Sequence, residues 1–501
     1  MRVAIIGAGY AGMAAATELA ARGIPVTVFE ASRTLGGRAR RVESHGYPLD
    51  NGQHILVGAY AELLRLMRLV GADPQALLDR LPLSLLYPGR MALRAPRLPA
   101  PLHLAAALFA AKGLSFGARL AAVGFMRAMR QADFRLARDI SFDALMARHG
   151  QHDTAIRYLW APLCVSALNT PPSEASAQVF LNVLRDSLAA RREASDLLLA
   201  RTDFSALFPE PAERFLLARG GELLRGSAIR SIRRDPYGYR LEGDPDRRNY
   251  SHVIAAVAPY HLTRLAAGLP RLEPLFEDLA GFAYEPILTA YFGYPQPVTL
   301  PAPMVGVGGT AHFLFQRGAA IVSAVVSARG PQLELPREEL LARIQAEIAA
   351  VAGPSPAPAW TQVIVEKRAT FACRPGLPPG GRNAAGQLFH RRGLRRLRLS
   401  GDAGSGGAQR RRLRPPGQVA SSPLFSFSTR LQRRAMASSW VISTSVVPCS
   451  ALMANIRSMI AAPVAASRLP VGSSASSSPG LAAKARAMAT RCCSPPERCF
   501  G

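Results

Sequence analysis

Residues 2–6 (Arg-Val-Ala-Ile-Ile) form a short run rich in branched apolar side chains, the pattern of a strand buried on both faces. A glycine-rich turn follows, then helix formers from Met13 to Arg22, closed by Gly23. A second apolar run, Pro25 to Phe29, ends at Glu30, so the spacing predicts a βαβ opening of an α/β fold. From about 60 to 205 apolar residues recur at threes and fours (Leu63, Leu64, Leu66, Met67, Val70), which predicts helices, with Pro-rich breaks near 82–101. Leu102 to Met129 is unusually apolar for a surface helix pair, although Lys112, Arg119 and Arg127 interrupt it; it reads either as core or as a segment dipping into a bilayer. Strand-like patterns return at 227–241, at Val253–Ala258 and within 287–326, including Leu288–Phe292, His312–Phe315 and Ile321–Val326. A helix is predicted from Arg337 to Val351, between Pro336 and Gly353-Pro354. After about 373, Arg clusters, Ser runs and Gly-rich stretches show no sustained period.

Charge changes this picture at one place. The chain of 501 residues has a formal charge of +27, which alone would suggest nucleic acid or an anionic membrane as partner. Residues 380–501, however, carry 19 Lys+Arg and 2 Asp+Glu, leaving 42 against 32 over the first 379. The body is mildly basic and the excess belongs to the tail, whose Arg clusters hold none of the aromatics that single-strand binding favours. No nucleic-acid partner is expected. Four of six cysteines also lie in the tail (Cys449, Cys492, Cys493, Cys499), with only Cys164 and Cys373 in the body. There is no metal-ligand spacing and no disulfide framework, an apolar strand starts at Val3 with no signal-peptide pattern, and no uninterrupted apolar run reaches spanning length. These features predict a cytoplasmic protein, with peripheral contact on the inner membrane face left open by the apolar segment 99–129.

The candidate chemistry begins in the first turn. Gly7-Ala8-Gly9-Tyr10-Ala11-Gly12 follows a strand and opens a helix, so its glycines permit a tight turn and close approach of a pyrophosphate to the helix N-terminus. Glu30, at the end of the next strand, stands where a carboxylate accepts hydrogen bonds from ribose hydroxyls. Leu35-Gly36-Gly37-Arg38-Ala39 adds a second glycine pair soon after the acid, which suits a backbone passing close to a larger dinucleotide with Arg38 near its phosphates.

On these residues the chain resembles the flavin-containing amine oxidase and phytoene desaturase superfamily. The resemblance narrows through Leu49-Asp50-Asn51-Gly52-Gln53-His54, Trp160-Ala161-Pro162-Leu163-Cys164, Ala167-Leu168-Asn169-Thr170-Pro171-Pro172, Ala175–Phe180, Asn182–Ser187 and Leu207-Phe208-Pro209-Glu210-Pro211. Over about 1–375 it is similar to the hydroxysqualene dehydroxylase family. That resemblance implies FAD as cofactor and hydroxysqualene, an isoprenoid alcohol, as substrate, reduced to squalene for hopanoid synthesis. A carotenoid-type desaturase or an amine oxidase on the same FAD frame is the alternative among enzymes, and a basic nucleic-acid- or membrane-binding protein the alternative outside them. The resemblance also implies that the backbone of Ser227-Ala228-Ile229, taken as a strand, meets the adenine, and that Val257 lies on the return strand 253–259. Gln53 and His54 are then candidate contacts of the flavin ring, and Asp50 and His54 the catalytic candidates. Each has a structural reading beside it, as does Arg185–Asp186, which reads equally as an internal ion pair.

Family members close the FAD site with a segment reading F-I-A-G-D-Y followed by Y-P-A-T-L-E-A-A-V-R. Here Phe389–Arg410 stands in its place, and GC-rich codons for that stretch, read one base later, encode F-I-A-G-D-Y-V-D-S-D-Y-P-A-T-L-E-A-A-V-R-S. A displaced frame starting between about Pro375 and Phe389 is therefore expected, and Asp402 is then not the flavin's Asp. Ala489–Arg498, read on the opposite strand in another frame, can encode L-S-G-G-E-Q-Q-R-V-A, which resembles an ATP-binding-cassette signature. The expected architecture is a Rossmann-type FAD-binding domain (1–60 and 216–280), a discontinuous, partly helical substrate domain (61–215 and 281–372), and a disordered or irregular basic tail (380–501). Such a chain, as written, is expected to be a poor enzyme.

Overall fold

Val3–Ile6 (β1) is buried at every position because it runs through the middle of a parallel sheet. The computed structural model describes residues 1–269 and 272–376; the expectations placed on the tail lie outside the described residues. Among the described residues the sheet has the order Glu222–Arg225, Val26–Glu30 (β2), β1, His252–Ala255, with every pairing parallel. Two of its strands come from the first thirty residues and two from beyond residue 220, so the nucleotide-type layer is discontinuous in sequence. Alternation along β1 separates its two faces. Val3 and Ile5 join the core beneath the helix Tyr10–Ala20 (α1), and Ala4 and Ile6 face Ile232, Tyr239, Tyr250 and Leu262. An antiparallel meander, Ser231–Asp235, Gly238–Glu242 and Asn249–Tyr250, supplies much of that second face.

A separate antiparallel sheet has the order Met304–Gly306, Phe313–Gly318, Ile321–Ser327, Tyr284–Gly293, Trp360–Phe371. The helix Arg337–Ala352 covers one face through Leu340, Ile344 and Ile348. Phe313, Phe315 and Val325 face the other way, into the core of the helical region. That region contains helices Leu102–Phe109, Phe116–Gln131, Phe142–Arg148, Ala161–Leu168 and Ala177–Val183; Ser115, Ser141 and Ser176 cap three of them by accepting backbone N–H bonds. A π-helical turn at Leu184–Leu188 overlaps the block Asn182–Ser187, and another at Ile156–Trp160 leads into the block that begins at Trp160.

Three expectations need correction. The stretch 60–205 is not helical throughout: Leu78–Leu81 and Leu197–Ala200 pair as strands, and Ser84–Tyr87 with Met91–Arg94 forms a hairpin where Pro-rich breaks were read. Pro88-Gly89 makes its turn, with Gly89 at φ +68° and the Arg90 N–H donating to the Tyr87 carbonyl at 2.9 Å. Ser227–Arg230 is a connector and not a strand, because Gly226 at φ +69° turns the chain and the Ser227 N–H donates to the Glu30 carbonyl at 2.8 Å. Val257 likewise lies beyond the return strand, which ends at Ala255. The predicted helix at 337–351 and the strands within 287–326 are present, and α1 starts at Tyr10, earlier than the predicted Met13.

Candidate functional site

The two glycine pairs, far apart as motifs, meet in space. Gly9 and Gly36 form a parallel bridge, and the Gly36 N–H donates to the Ala8 carbonyl at 3.0 Å. A Cβ on Gly37 would stand 3.2 Å from the Gly9 Cα, so the second turn lies directly against the first. At Gly12 a Cβ would sit 1.8 Å from the Gly7 carbonyl oxygen, which fixes how closely α1 approaches the end of β1. The first bond of α1 is Met13 N–H to the Gly9 carbonyl, and no side chain caps its N-terminus. The N–H groups of Tyr10, Ala11 and Gly12 therefore precede the helix's own ladder and carry its positive dipole end.

Glu30 closes this turn from below. One carboxylate oxygen accepts the Ala8 N–H at 2.6 Å and the other the Ser32 N–H at 2.8 Å. The Ser227 N–H bond to its own carbonyl brings 227–229 alongside, with Ile229 buried in the core that contains Phe29. Val257 follows Ala256, whose carbonyl oxygen would lie 2.7 Å from a Cβ on Gly7. Tyr10 turns its side chain inward instead: its hydroxyl donates to the Phe204 carbonyl at 2.7 Å, so only its backbone faces the cradle. Arg38 is also engaged, donating to the carbonyls of Ala369 (2.8 Å) and Arg368 (3.3 Å) on the strand Trp360–Phe371, in surroundings that lower its pKa through burial.

The segment 50–54 joins this cradle to the second sheet. Asp50 is fully buried; one carboxylate oxygen accepts the Phe204 N–H at 2.8 Å and the other the Arg317 guanidinium at 2.9 Å. The Tyr291 hydroxyl donates to the Asp50 carbonyl at 3.0 Å. Gln53 donates its backbone N–H to the Thr289 hydroxyl at 3.1 Å and its side-chain oxygen accepts the Ser323 hydroxyl at 2.8 Å. His54 packs its ring against Phe204 at 4.9 Å and is held neutral, its pKa pushed down to about 3 by burial and then by Arg317 and Arg38. The sequence reading missed Arg317, Thr289, Ser323, Tyr291 and Phe204, which come from remote strands and a short helix with no local motif to mark them. Arg185 and Asp186 form a two-point ion pair at 2.7 and 3.1 Å.

Burial pushes the Asp50 carboxyl up from 3.8 to about 7, against the opposing pull of Arg317. The folded state thus holds this proton more tightly than the unfolded chain. Its contribution to stability is complete below about pH 4 and declines by about 4 kcal/mol as pH rises to about 7. Asp50→Asn, a mimic of the protonated form, should therefore gain in melting temperature relative to the parent from pH 4 to 7 and hold a constant difference above that. A difference that is flat from pH 4 to 8 would assign the proton elsewhere.

A parallel sheet with a glycine turn at the helix N-terminus and an acid ending the second strand defines a dinucleotide-binding α/β oxidoreductase, here with a second sheet locked to the cradle. The chain belongs to the family of flavin containing amine oxidoreductases, whose profile matches residues 10–408. It is thus an FAD-dependent oxidoreductase. That match runs past the end of the resemblance read at about 375 and takes in Asp402. The chain is similar to the hydroxysqualene dehydroxylase of Rhodopseudomonas palustris, 31% identical over 75% of this chain and 89% of that one. It is less similar to the zeta-carotene desaturase of Zea mays, 24% identical over 70% of each. The fold matches cyclohexylamine oxidase from Brevibacterium oxydans with a TM-score of 0.55 at 17% identity, covering 75% of this chain and 88% of that one. Among the described residues no helix is long and apolar enough to cross a membrane.

Proposed function

We propose that this protein reduces hydroxysqualene to squalene. The observation that carries this is the 31% identity with a hydroxysqualene dehydroxylase along 89% of that enzyme's length, against 24% for a carotene desaturase. The glycine cradle fits a dinucleotide, since a Cβ on Gly12 would strike the end of β1, one on Gly37 the first turn, and one on Gly7 the Ala256 carbonyl. In this reading the N–H groups of Gly9, Tyr10, Ala11 and Gly12 face the pyrophosphate and Glu30 the ribose. Gly36, Gly37 and Arg38 line the phosphate side, Ile229 and Val257 border the adenine, and Gln53 with His54 meets the ring. FAD bound in reduced form would supply the hydride and be left oxidised, while the hydroxyl departs as water with a proton taken from the site or the solvent.

The protein's own tasks are to position that ring and to keep water from it. His54 suits positioning better than proton donation, being neutral at working pH; Asp50 keeps its proton up to about pH 7, but the Phe204 N–H and Arg317 engage both of its oxygens. The interior of the helical region is apolar, with Trp160, Phe142 and Phe180 packed in one core, and in this reading the hydrocarbon chain lies against it. We place the division of domains at residues 60, 215 and 280. We also place the protein in the cytoplasm, where its buried Cys164 and Cys373 remain thiols. The test is anaerobic incubation of the reduced enzyme, with its reading frame restored across 375–389, with hydroxysqualene. Squalene is the expected product. A protein that leaves hydroxysqualene intact but removes hydrogens from a polyene would be a desaturase.

A further inference from the structure

We propose that the helix pair Leu102–Phe109 and Phe116–Gln131 docks this protein on an anionic bilayer surface. The purpose of such docking rests on the hydrocarbon substrate proposed above, but the geometry does not. Large apolar side chains left in water are scattered singly over most of the described residues, at Met1, Tyr47, Leu69, Leu217, Tyr237 and Val365. Between 98 and 120 they gather: Leu98, Leu102, Phe109, Phe116 and Leu120 are all exposed, Phe116 by 71%, Leu102 by 58% and Leu120 by 54%. The inner faces of the same helices are already satisfied, with Leu104, Ala107, Leu108, Ala118, Ala122, Phe125 and Met129 in one core. The outer apolar residues therefore add nothing to that core and remain in contact with solvent.

The connection between the helices is built to hold its shape. Arg119 donates to the carbonyls of Phe109 and Leu114, each at 3.0 Å, tying the end of the first helix to the start of the second. Ala92 and Lys112 exchange backbone hydrogen bonds at 3.2 and 2.8 Å, pinning the connection to the strand Met91–Arg94. Phe109 and Phe116 flank this rigid turn, and Leu120 follows Phe116 one helical turn on.

Charge selects the occupant. Residues 80–132 contain eight Lys+Arg and no Asp or Glu. Arg94, Arg97, Lys112 and Arg127 are exposed along the same stretch of chain as the apolar residues. A second copy of this chain would bring the same positive charge against itself, whereas an anionic leaflet complements it. The helices are too short to span and lie in a basic stretch with exposed apolar residues, the combination of an interfacial anchor.

The basic tail will itself attract anionic vesicles, so the readout must report on the helix pair alone. Full-length Phe116→Trp is mixed with vesicles of equal parts phosphatidylglycerol and phosphatidylcholine carrying brominated acyl chains. Its emission is compared with that of the parent, whose tryptophans are Trp160, Trp360 and Trp440. The introduced indole should shift to shorter wavelength and be quenched, and binding to phosphatidylcholine alone should be about tenfold weaker. Adding Leu120→Ser should weaken the effect while leaving near-ultraviolet circular dichroism unchanged. The proposal is overturned if the protein sediments with vesicles while the introduced indole keeps a water-like emission, since the tail then does the binding. It is equally overturned if the indole shifts without vesicles in a species of dimer mass. Neither measurement needs flavin or hydroxysqualene, so a failure here leaves the proposed reaction standing, and a failed turnover assay leaves this surface standing.

Discussion

Gly12→Ala should abolish flavin retention and lower the melting temperature, an effect out of proportion to one added methyl group. The new Cβ would lie 1.8 Å from the Gly7 carbonyl oxygen and 3.3 Å from the Ala256 Cβ, with no flexible side chain in the way to yield. Helix α1 must then move off the end of β1 by more than 1 Å to restore van der Waals distance. The N–H groups of Tyr10, Ala11 and Gly12 move with it, and a displacement of about 1 Å in a positioning element can cost on the order of a hundredfold. Glu30→Ala is the contrasting case. It removes one charged acceptor, worth about 1.5–3 kcal/mol, together with its bonds to the Ala8 and Ser32 N–H groups, but it introduces no clash, so flavin affinity should fall by about one to two powers of ten with the fold kept. Flavin titration and melting temperature, measured on both variants with the frame restored, separate the two effects. Wild-type flavin affinity in Gly12→Ala would mean that the close approach of α1 is not what holds the dinucleotide, and unchanged affinity in Glu30→Ala would remove Glu30 from the ribose.

These residues could be read from the sequence because each acts within its own βαβ unit. Gly7, Gly12, Gly36 and Glu30 are fixed by local turn geometry, and local geometry is what spacing encodes. The locking of the 50–54 segment was not legible. Asp50 meets Arg317 across 267 positions and Phe204 across 154, and nothing near Arg317 on its strand distinguishes it from a solvated charge. The strand Trp360–Phe371 was missed for a related reason. It is an edge strand, and edge strands carry charges such as Glu366, Lys367 and Arg368 that break the apolar alternation. The hairpin at 84–94 carried a signal that was passed over, since Pro88-Gly89 between two apolar runs specifies a turn and not only a break in a helix.

The largest effect is expected from the reading frame. The cradle described here is assembled from N-terminal and middle segments: the Gly7–Gly12 turn, the Gly36–Arg38 turn, the 227–229 connector and the 50–54 segment. In the family resemblance a C-terminal segment, F-I-A-G-D-Y, completes it, and GC-rich codons permitted for Phe389–Arg410 can encode that segment one base out of register. Two readings of Asp402 follow. Either the in-frame Gly401-Asp402, which lies within the family match to residue 408, supplies the carboxylate, or the displaced frame does and Asp402 is incidental. Three proteins separate them. The chain as written should purify nearly colourless, Asp402→Ala should change nothing in it, and the frame-restored chain should purify yellow and form squalene. The restored segment would supply a carboxylate and a helix N-terminus to the flavin, and so exclude the water and oxygen that otherwise react with reduced flavin. Resequencing the gene across codons 373–410 provides the independent check. A yellow protein as written that loses its flavin on Asp402→Ala would show that the family's Asp is present in frame, and the account of a displaced frame would fall with it.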